Sequence, residues 1–422
     1  MSMTVTEEQK GEGGDAVGQA RPMTPDAVRR TMDNCTKCNI CQSHCPVALA
    51  TSSFPGPKYA GPQAERFRSI AVAAETAPQL CSGCGVCTSV CPNDVAVTDI
   101  ITLAKADLIR RTGGVSLGQR LLNRPDLIGR LGGLAPWLGN LALGSASLRR
   151  VAALATGISA DAPLPRFAGR RFRRWLRHHT LGQGTPIAYF PGCAVEHYDP
   201  NVGIAAVKLL THLGYKVTAP SSGCCSLPML SSGDFDAARP RAETLINELA
   251  PWAAAGQTIV GTSTSCTLTV KSKYAAYLGF ADGTAATVAG AVTDICGFLL
   301  DRHGDELAGR LTPVIKKVLY HGPCQLRGHH IGQPAVELLR LIPGIKLELS
   351  EASCCGVAGT YGYDAAKRDI AVKVGRSLMD QIARSKPDLV LCDSETCRWN
   401  IEQACGVPCH HPIQLMAEAM VL

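Results

Sequence analysis

The sequence is poor in charge and in aromatic rings: Asp, Glu, Lys and Arg make up 18% of its 422 residues, and Phe, Trp and Tyr only 5%. A net charge of +7 is too small to mark a generally basic protein, and no recognition module accompanies it, so nucleic acid is not an expected partner. An apolar leader is also missing. The opening residues, MSMTVTEEQKGEGGDAVGQ, are polar and glycine-rich, without the hydrophobic core or cleavage site of a secretory signal. Uninterrupted apolar runs are equally scarce. The stretch LGGLAPWLGNLALGSASL between Arg130 and Arg149 has no charge, but Pro136, Asn140 and four glycines break it. A spanning helix needs about 20 mostly apolar residues, so the expectation is a chain with no signal peptide and no transmembrane span. No Ser–His–Asp order or paired carboxylate stands out. The glycines of GVAGTYG, from Gly356, have GxxGxxG spacing, which is wrong for a dinucleotide turn. No catalytic residue is assigned.

Cysteine, by contrast, is abundant, with 20 residues. In a chain without signs of export, clustered thiols point to metal or redox chemistry rather than to a disulfide framework. CTKCNICQSHCP (Cys35, Cys38, Cys41, Cys45) has the C-x2-C-x2-C-x3-C-P run of bacterial ferredoxins, and CSGCGVCTSVCP (Cys81, Cys84, Cys87, Cys91) repeats it. In such runs three closely spaced thiolates hold one cubane and the fourth cysteine ligates the other. The expected ligand sets are therefore Cys35, Cys38, Cys41 and Cys91 for one [4Fe-4S] cluster, and Cys81, Cys84, Cys87 and Cys45 for the second. Zinc is the competing reading of C-x2-C pairs, and the doubled Cys-Pro ending argues against it. The intervening segment GPQAERFRSIAVAAET reads as helical, and Thr24-Pro25-Asp26 as the start of an entry helix.

A second duplication follows. Cys193, Cys224, Cys225 and Cys266 recur as Cys324, Cys354, Cys355 and Cys397, displaced by 130 or 131 residues. LLTHLGYKV parallels LLRLIPGIKL, and IVGTSTSC parallels VLCDSETC. Short apolar runs (IAYF, YKVTA and TIVGT, then KVLY, IKLEL and DLVLC) alternate with helical patterns such as AVKLLTHL, RAETLINELA and DAAKRDIAVKVGRSLMDQIA. The cysteines fall just after the predicted strands, at the edge where open parallel sheets bind ligands. Each half is thus a candidate metal-binding set, the adjacent thiols facing one site. An inert core pair or a strained disulfide would explain one pair but not its repetition. Cys392 could add a ligand in the second half or be a core residue at a strand end. Cys405 and Cys409 have no assigned role. His321, His329, His330, His410 and His411 lie near cysteines and could bind haem or quinone, with ordinary loop or core histidines as the alternative; His321, three residues before Cys324, is the one that draws notice.

This doubled pattern resembles the cysteine-rich (CCG) repeats of heterodisulfide reductases and of the iron–sulfur subunits of flavin dehydrogenases. Within that group, YHGPCQ, SCCGVAGTYGY, CDSETCRWNIEQ, TSTSCTL, RFRRW and HPIQLMAEA are similar to segments of the iron–sulfur subunit family of anaerobic glycerol-3-phosphate dehydrogenases, over essentially the whole chain from about residue 30. The resemblance implies an electron-transfer subunit at the cytoplasmic face of the inner membrane, peripherally bound. It also implies a FAD-containing dehydrogenase partner and quinone as acceptor, with further iron–sulfur clusters conceivable in the repeats. The iron–sulfur subunit of a glycolate or lactate oxidase and a catalytic heterodisulfide reductase-type subunit are the alternatives. The sequence departs from the heterodisulfide reductase pattern at Ser263 and Ser394, which stand where the first cysteine of C-x-x-C is found, and at Ser226, which replaces the glycine after the cysteine pair.

RFAGRRFRRWLRHH, residues 166–179, carries six arginines, with Phe172, Trp175 and Leu176 on one helical face. Basic amphipathic helices with aromatic anchors sit at anionic membranes, so this stretch, following the glycine-broken segment 115–165, is the expected membrane contact. A solvated face or a partner contact is the alternative. The expected architecture is α+β: a polar tail (1–30), a helical ferredoxin-like 2×[4Fe-4S] domain (31–105), a helical, amphipathic and basic connector (106–185) and two duplicated α/β cysteine-rich repeats (186–310 and 311–422).

Overall fold

The computed structural model describes residues 23–68, 76–179, 182–221 and 223–422. The polar tail up to residue 22 and much of the second half of the helix expected between the ferredoxin motifs lie outside the described residues. The N-terminal region is helical. Its entry helix, Pro25–Arg30, starts as read: Thr24 Oγ1 accepts from the Ala27 N–H at 3.4 Å and proline opens the first turn. A longer helix, Val97–Arg111, buries Ile100, Ile101 and Leu103 and forms the floor under both cysteine motifs.

Two four-stranded parallel sheets follow. In the first, β1 (Thr185–Phe190), β2 (Tyr215–Thr218), β3 (Ile259–Gly261) and β4 (Val292–Asp294) lie in the order β2-β1-β3-β4. In the second, β5 (Lys317–Tyr320), β6 (Lys346–Leu349), β7 (Leu389–Leu391) and β8 (Cys409–His410) repeat it as β6-β5-β7-β8. The fold is mostly helical α+β, and the sheets coincide with the cysteine repeats. Parallel strands require crossover helices, which cover both faces and leave the carboxyl ends of the strands open.

The two halves share a core. The Pro200–His212 helix of the first half packs on Pro412–Ala419 of the second, and Pro334–Arg340 packs on Ile295–Ala308. Leu209, Leu210, Ile295, Leu299, Leu338, Leu339, Ile413 and Met416 form one apolar cluster there. Arg398 crosses the junction to Asp199 at 2.9 Å.

Four helices form the connector: Leu117–Leu122, Pro125–Gly132, Pro136–Gly144 and Ala146–Thr156. The residues that interrupt its uncharged stretch have a packing role. A Cβ on Gly132 would come within 2.2 Å of the Phe167 ring, and Asn140 grips the Phe167 backbone in both directions, at 2.8 and 3.0 Å.

The aromatic anchors expected of the basic stretch are not available to a membrane. Within residues 166–179 the described helix is only Phe172–Leu176, and its apolar face is buried, with Phe172 at 0% and Trp175 at 7% exposure. Phe172 meets Tyr189 edge-on at 5.7 Å and packs in the shared core. Arg171 reaches the Arg130 carbonyl at 2.6 Å, and Arg173 pairs with Glu196. An aromatic stripe at helical spacing looks the same whether lipid or a sheet covers it, and here a sheet covers it. Phe172→Ala should therefore cost about 3–5 kcal/mol of stability, read as a lowered midpoint in chemical denaturation, with vesicle binding by the folded fraction unchanged.

Candidate iron–sulfur and thiol site

The two ferredoxin motifs adopt one loop. Motif 2 has left-handed backbone at Gly83 (φ 68°) and Gly85 (φ 79°), and motif 1 holds the equivalent Lys37 (φ 62°) and Asn39 (φ 69°) in the same region. Added Cβ atoms at Gly83 and Gly85 would meet nothing within 4 Å, so side chains at these positions cost only backbone strain. Pro46 opens the helix Pro46–Ala50, and Cys45 caps it, its sulfur accepting from the Ala48 N–H at 3.5 Å. That turn carries Cys45 away from its own motif. Cys45 lines one small void with Cys81, Cys84 and Cys87, while Cys91 lines another with Cys35, Cys38 and Cys41. The donor chemistry fits a cluster in each: the voids are bounded by soft thiols in fours, and the one at the first motif also by Lys37, Asn39, Lys58 and Asn93. Burial pushes the Cys45 thiol up to about 12 and raises Cys81, Cys84 and Cys87, so their thiolates need compensating positive charge. One source is Lys105, buried in the helix floor with its Nζ on the Cys81 carbonyl at 3.0 Å, where burial lowers its own pKa to about 8.

In each cysteine repeat the paired thiols sit on one tight turn after the second strand. The N–H of the following residue donates to the first sulfur of the pair, Ser226 to Cys224 at 3.4 Å and Gly356 to Cys354 at 3.3 Å. Both residues are left-handed, at φ 58° and 93°. Gly356 is obligatory, since a Cβ would lie 2.1 Å from the Ala371 carbonyl oxygen. Ser226 keeps the conformation with its hydroxyl buried and unpartnered. Cys193 follows β1 and Cys324 follows β5, while Cys266 and Cys397 sit in the helices after β3 and β7. Cys225 and Cys266 approach to 3.2 Å, and Cys355 and Cys397 to 3.0 Å. Contact with Cys224 and burial raise Cys193 well above an ordinary thiol; contact with Cys225 and burial do the same to Cys266. Ser263 fills its place in the aborted C-x-x-C as a helix cap, accepting from the Cys266 N–H at 3.3 Å.

The two sulfur clusters face each other across a cavity of about 280 Å³. Cys193, Cys224, Cys225 and Cys266 line one side, and Cys324, Cys355 and Cys397 the other. Ile128, Leu143 and Phe167 of the connector roof it, and Ser82 and Gly83 of the second ferredoxin motif reach its rim. Cys84 packs with Cys324 in a small buried cluster, and Gln325 donates to the Gly83 carbonyl at 3.3 Å. Half-buried Lys273 binds Gln325, and desolvation lowers its pKa despite Asp99 and the nearby thiols. Every cysteine of the two candidate repeat sets except Cys354 borders this cavity; Cys354 lies behind, between Cys324 and Cys355.

The remaining candidates separate clearly. Cys392 is fully buried at the end of β7 with its thiol against Cys397, Cys409 is buried in the core, and Cys405 lies 3.3 Å from the Met379 sulfur. His329 is satisfied by the Thr264 carbonyl at 2.9 Å, His411 caps the Pro412–Ala419 helix, and His330 and His410 are exposed. His321 and His411 are both fully buried with Nε2 unpartnered, and of the two only His321 lies within ligand range of Cys355 and Cys397. Sequence reasoning did not anticipate the cavity itself, because facing the two edges is a matter of how the halves pack.

Residues 31–95 match the family described as 4Fe-4S dicluster domain, and residues 187–271 and 318–402 each match the cysteine-rich domain. With the motifs and sheets above, the chain belongs to the family of oxidoreductase iron–sulfur subunits that join a dicluster ferredoxin region to two cysteine-rich domains; such a region implies two [4Fe-4S] clusters. Among its relatives, the chain is 33% identical over 396 residues to a subunit of the anaerobic glycerol-3-phosphate dehydrogenase of Escherichia coli (strain K12), spanning 92% of this chain and 99% of the relative. It is 24% identical to the glycolate oxidase iron-sulfur subunit of the same organism, over 95% and 96% of the two chains. It is 22% identical to a subunit of the dihydromethanophenazine:CoB--CoM heterodisulfide reductase of Methanosarcina barkeri (strain Fusaro), over 93% and 94%.

The grouping of the ferredoxin cysteines yields a spectroscopic expectation. Cys45→Ser should perturb the same electron paramagnetic resonance signal as Cys84→Ser, and Cys91→Ser the same signal as Cys38→Ser. Uncrossed pairing of these effects would show that each motif serves its own cluster.

Proposed function

We propose that the chain is the electron-transfer and membrane-tethering subunit of an anaerobic glycerol-3-phosphate dehydrogenase. A FAD-containing partner would oxidise glycerol 3-phosphate, and membrane quinone would take the electrons. The observation that carries the electron-transfer reading is the buried contact between the second ferredoxin motif and the second repeat, through Cys84 beside Cys324. When bound, the clusters supply one-electron steps between the two-electron flavin and quinone. The chain's own part is to hold thiolates in dry voids, to offset their charge with Lys105 and Lys273, and to keep water from that contact. Near-complete alignment with the glycerol-3-phosphate dehydrogenase relative supports the choice of partner. A second reading is favoured by the cavity walled with sulfur from both repeats: there the chain itself would reduce a small molecule, as a heterodisulfide reductase-type subunit.

Substrate preference separates these readings. In membranes containing the intact complex, glycerol 3-phosphate should reduce the clusters and then quinone, while glycolate and lactate should not. Bleaching by glycolate or lactate alone would assign the chain to the other oxidase type, and oxidation of the reduced clusters by an added disulfide would favour the second reading.

For the membrane contact, the support lies on the connector's outer face. Leu134, Trp137, Leu141 and Leu154, large apolar side chains within 21 residues of sequence, are 79, 71, 66 and 90% exposed, and clustered exposed apolar side chains mark interaction surfaces. Between Asp126 and Glu196 the only acidic residue is Asp161, against nine arginines. An apolar face in a segment rich in arginine and poor in acid suits an anionic lipid surface. No helix among the described residues is long and apolar enough to cross a membrane, so contact at this face would be peripheral. Fully burying one such side chain stabilises by about 1.5–3 kcal/mol. Replacing these four with serine should weaken binding to anionic vesicles by more than about a hundredfold. Reduction of a soluble dye by the complex should persist while quinone reduction falls. Undiminished vesicle binding would reassign the face to a protein partner.

A further inference from the structure

The two repeats are not chemically equivalent, and the difference centres on one side chain. The offset that pairs Cys193 with Cys324 sets Phe190, the last residue of β1, against His321, which follows β5 directly. Phe190 is an ordinary core residue. His321 is fully buried beside the thiols of the second repeat, and two bonds fix it: its N–H reaches the Leu391 carbonyl at 2.9 Å, and Nδ1 lies 3.0 Å from Ser350 Oγ. With Nδ1–H donating to that hydroxyl, Nε2 presents a lone pair. Nε2 has no partner. A ring nitrogen of His321 and the sulfurs of Cys355 and Cys397 all lie within 4.8 Å of one another, and among the described residues this is the one such grouping suited to a metal. The thiols continue from there, Cys355 touching Cys354 and Cys354 touching Cys324. Buried imidazole nitrogens are rarely left unbonded; His411 Nε2 and His197 Nδ1 are also unpartnered, but among the described residues only His321 combines an unpartnered ring nitrogen with two thiols in ligand range.

We propose that His321 Nε2 is a metal ligand, completing with Cys324, Cys354, Cys355 and Cys397 the donor set of an iron–sulfur centre in the second repeat. Five donors exceed the four positions of a structural zinc. The imidazole supplies the fifth donor that Ser394 does not. The first repeat, with Phe190 in the equivalent place, has four thiols and no imidazole. Imidazole in place of thiolate leaves such a centre less negative and raises its potential, which would make it an electron sink next to Cys84. The inference rests on the proposed reading of the repeats as redox sites.

The test uses the full chain, purified anaerobically from cells fed 15N-histidine or unlabelled histidine. Iron should exceed the roughly eight per chain of two ferredoxin clusters. Pulsed electron paramagnetic resonance should show a directly coordinated nitrogen whose coupling follows the isotope of the label. His321→Ala should abolish that coupling, and His321→Cys should retain the iron while lowering the potential of one centre. If His321→Ala fails to fold, the labelled wild type still decides whether a histidine is bound. Iron above eight with no histidine coupling, or coupling that survives in His321→Ala, overturns the ligand and leaves electron transfer through the repeats intact. Iron no higher than about eight, or one zinc per chain instead, overturns the centre itself. Quinone reduction by the intact complex, measured separately, then decides whether the function proposed above stands without it.

Discussion

One shared apolar core turns eight scattered cysteines into a single site. Each repeat alone would be a small parallel sheet with four thiols on an open edge. Because Pro200–His212 and Pro334–Arg340 each pack on a helix of the other half, the two edges meet face to face. Polar groups at the junction depend on the same packing. Tyr320 donates to Asp393, and the Cys296 thiol approaches the other oxygen of that carboxylate. Burial, reinforced by the charge of its neighbour Asp393, raises the Asp294 carboxyl well above the usual carboxylate range. Loosening the core would expose this pair as well as the thiols.

Much of this arrangement was legible in the residues. Six of the eight strands stand where β-rich apolar runs were read, because a buried parallel strand announces itself as a short continuous run of such residues. The two unread strands, Val292–Asp294 and Cys409–His410, are short edge strands, and neither has the continuous apolar run of the equally short central strands Ile259–Gly261 and Leu389–Leu391. The spacing of the ferredoxin cysteines, and their Cys-Pro endings, anticipated a crossed grouping. The third residue of each cysteine pair became intelligible only with backbone angles in hand, as a left-handed position that glycine takes freely and Ser226 tolerates.

What the sequence hid was tertiary. An aromatic and arginine-rich helix has one pattern and two possible covers, and only the packing of Phe172 on Tyr189 shows which applies. The exposed apolar surface lies instead in a stretch whose glycines and asparagine looked like interruptions, and Phe167 explains them. The cavity was invisible for the same reason: it belongs to neither repeat.

The connector differs from everything beneath it in how little it buries. Its Pro136–Gly144 and Ala146–Thr156 helices contain no buried residue, whereas the central strands of the sheets are among the most occluded parts of the chain. Opening free energies follow such differences. The roof over the sulfur cavity should therefore open at lower cost than the halves below it. Entry to the cavity becomes a local folding equilibrium, separable from the rigidity that fixed electron-transfer distances demand, and whatever surface binds the outer faces of those helices sets its balance.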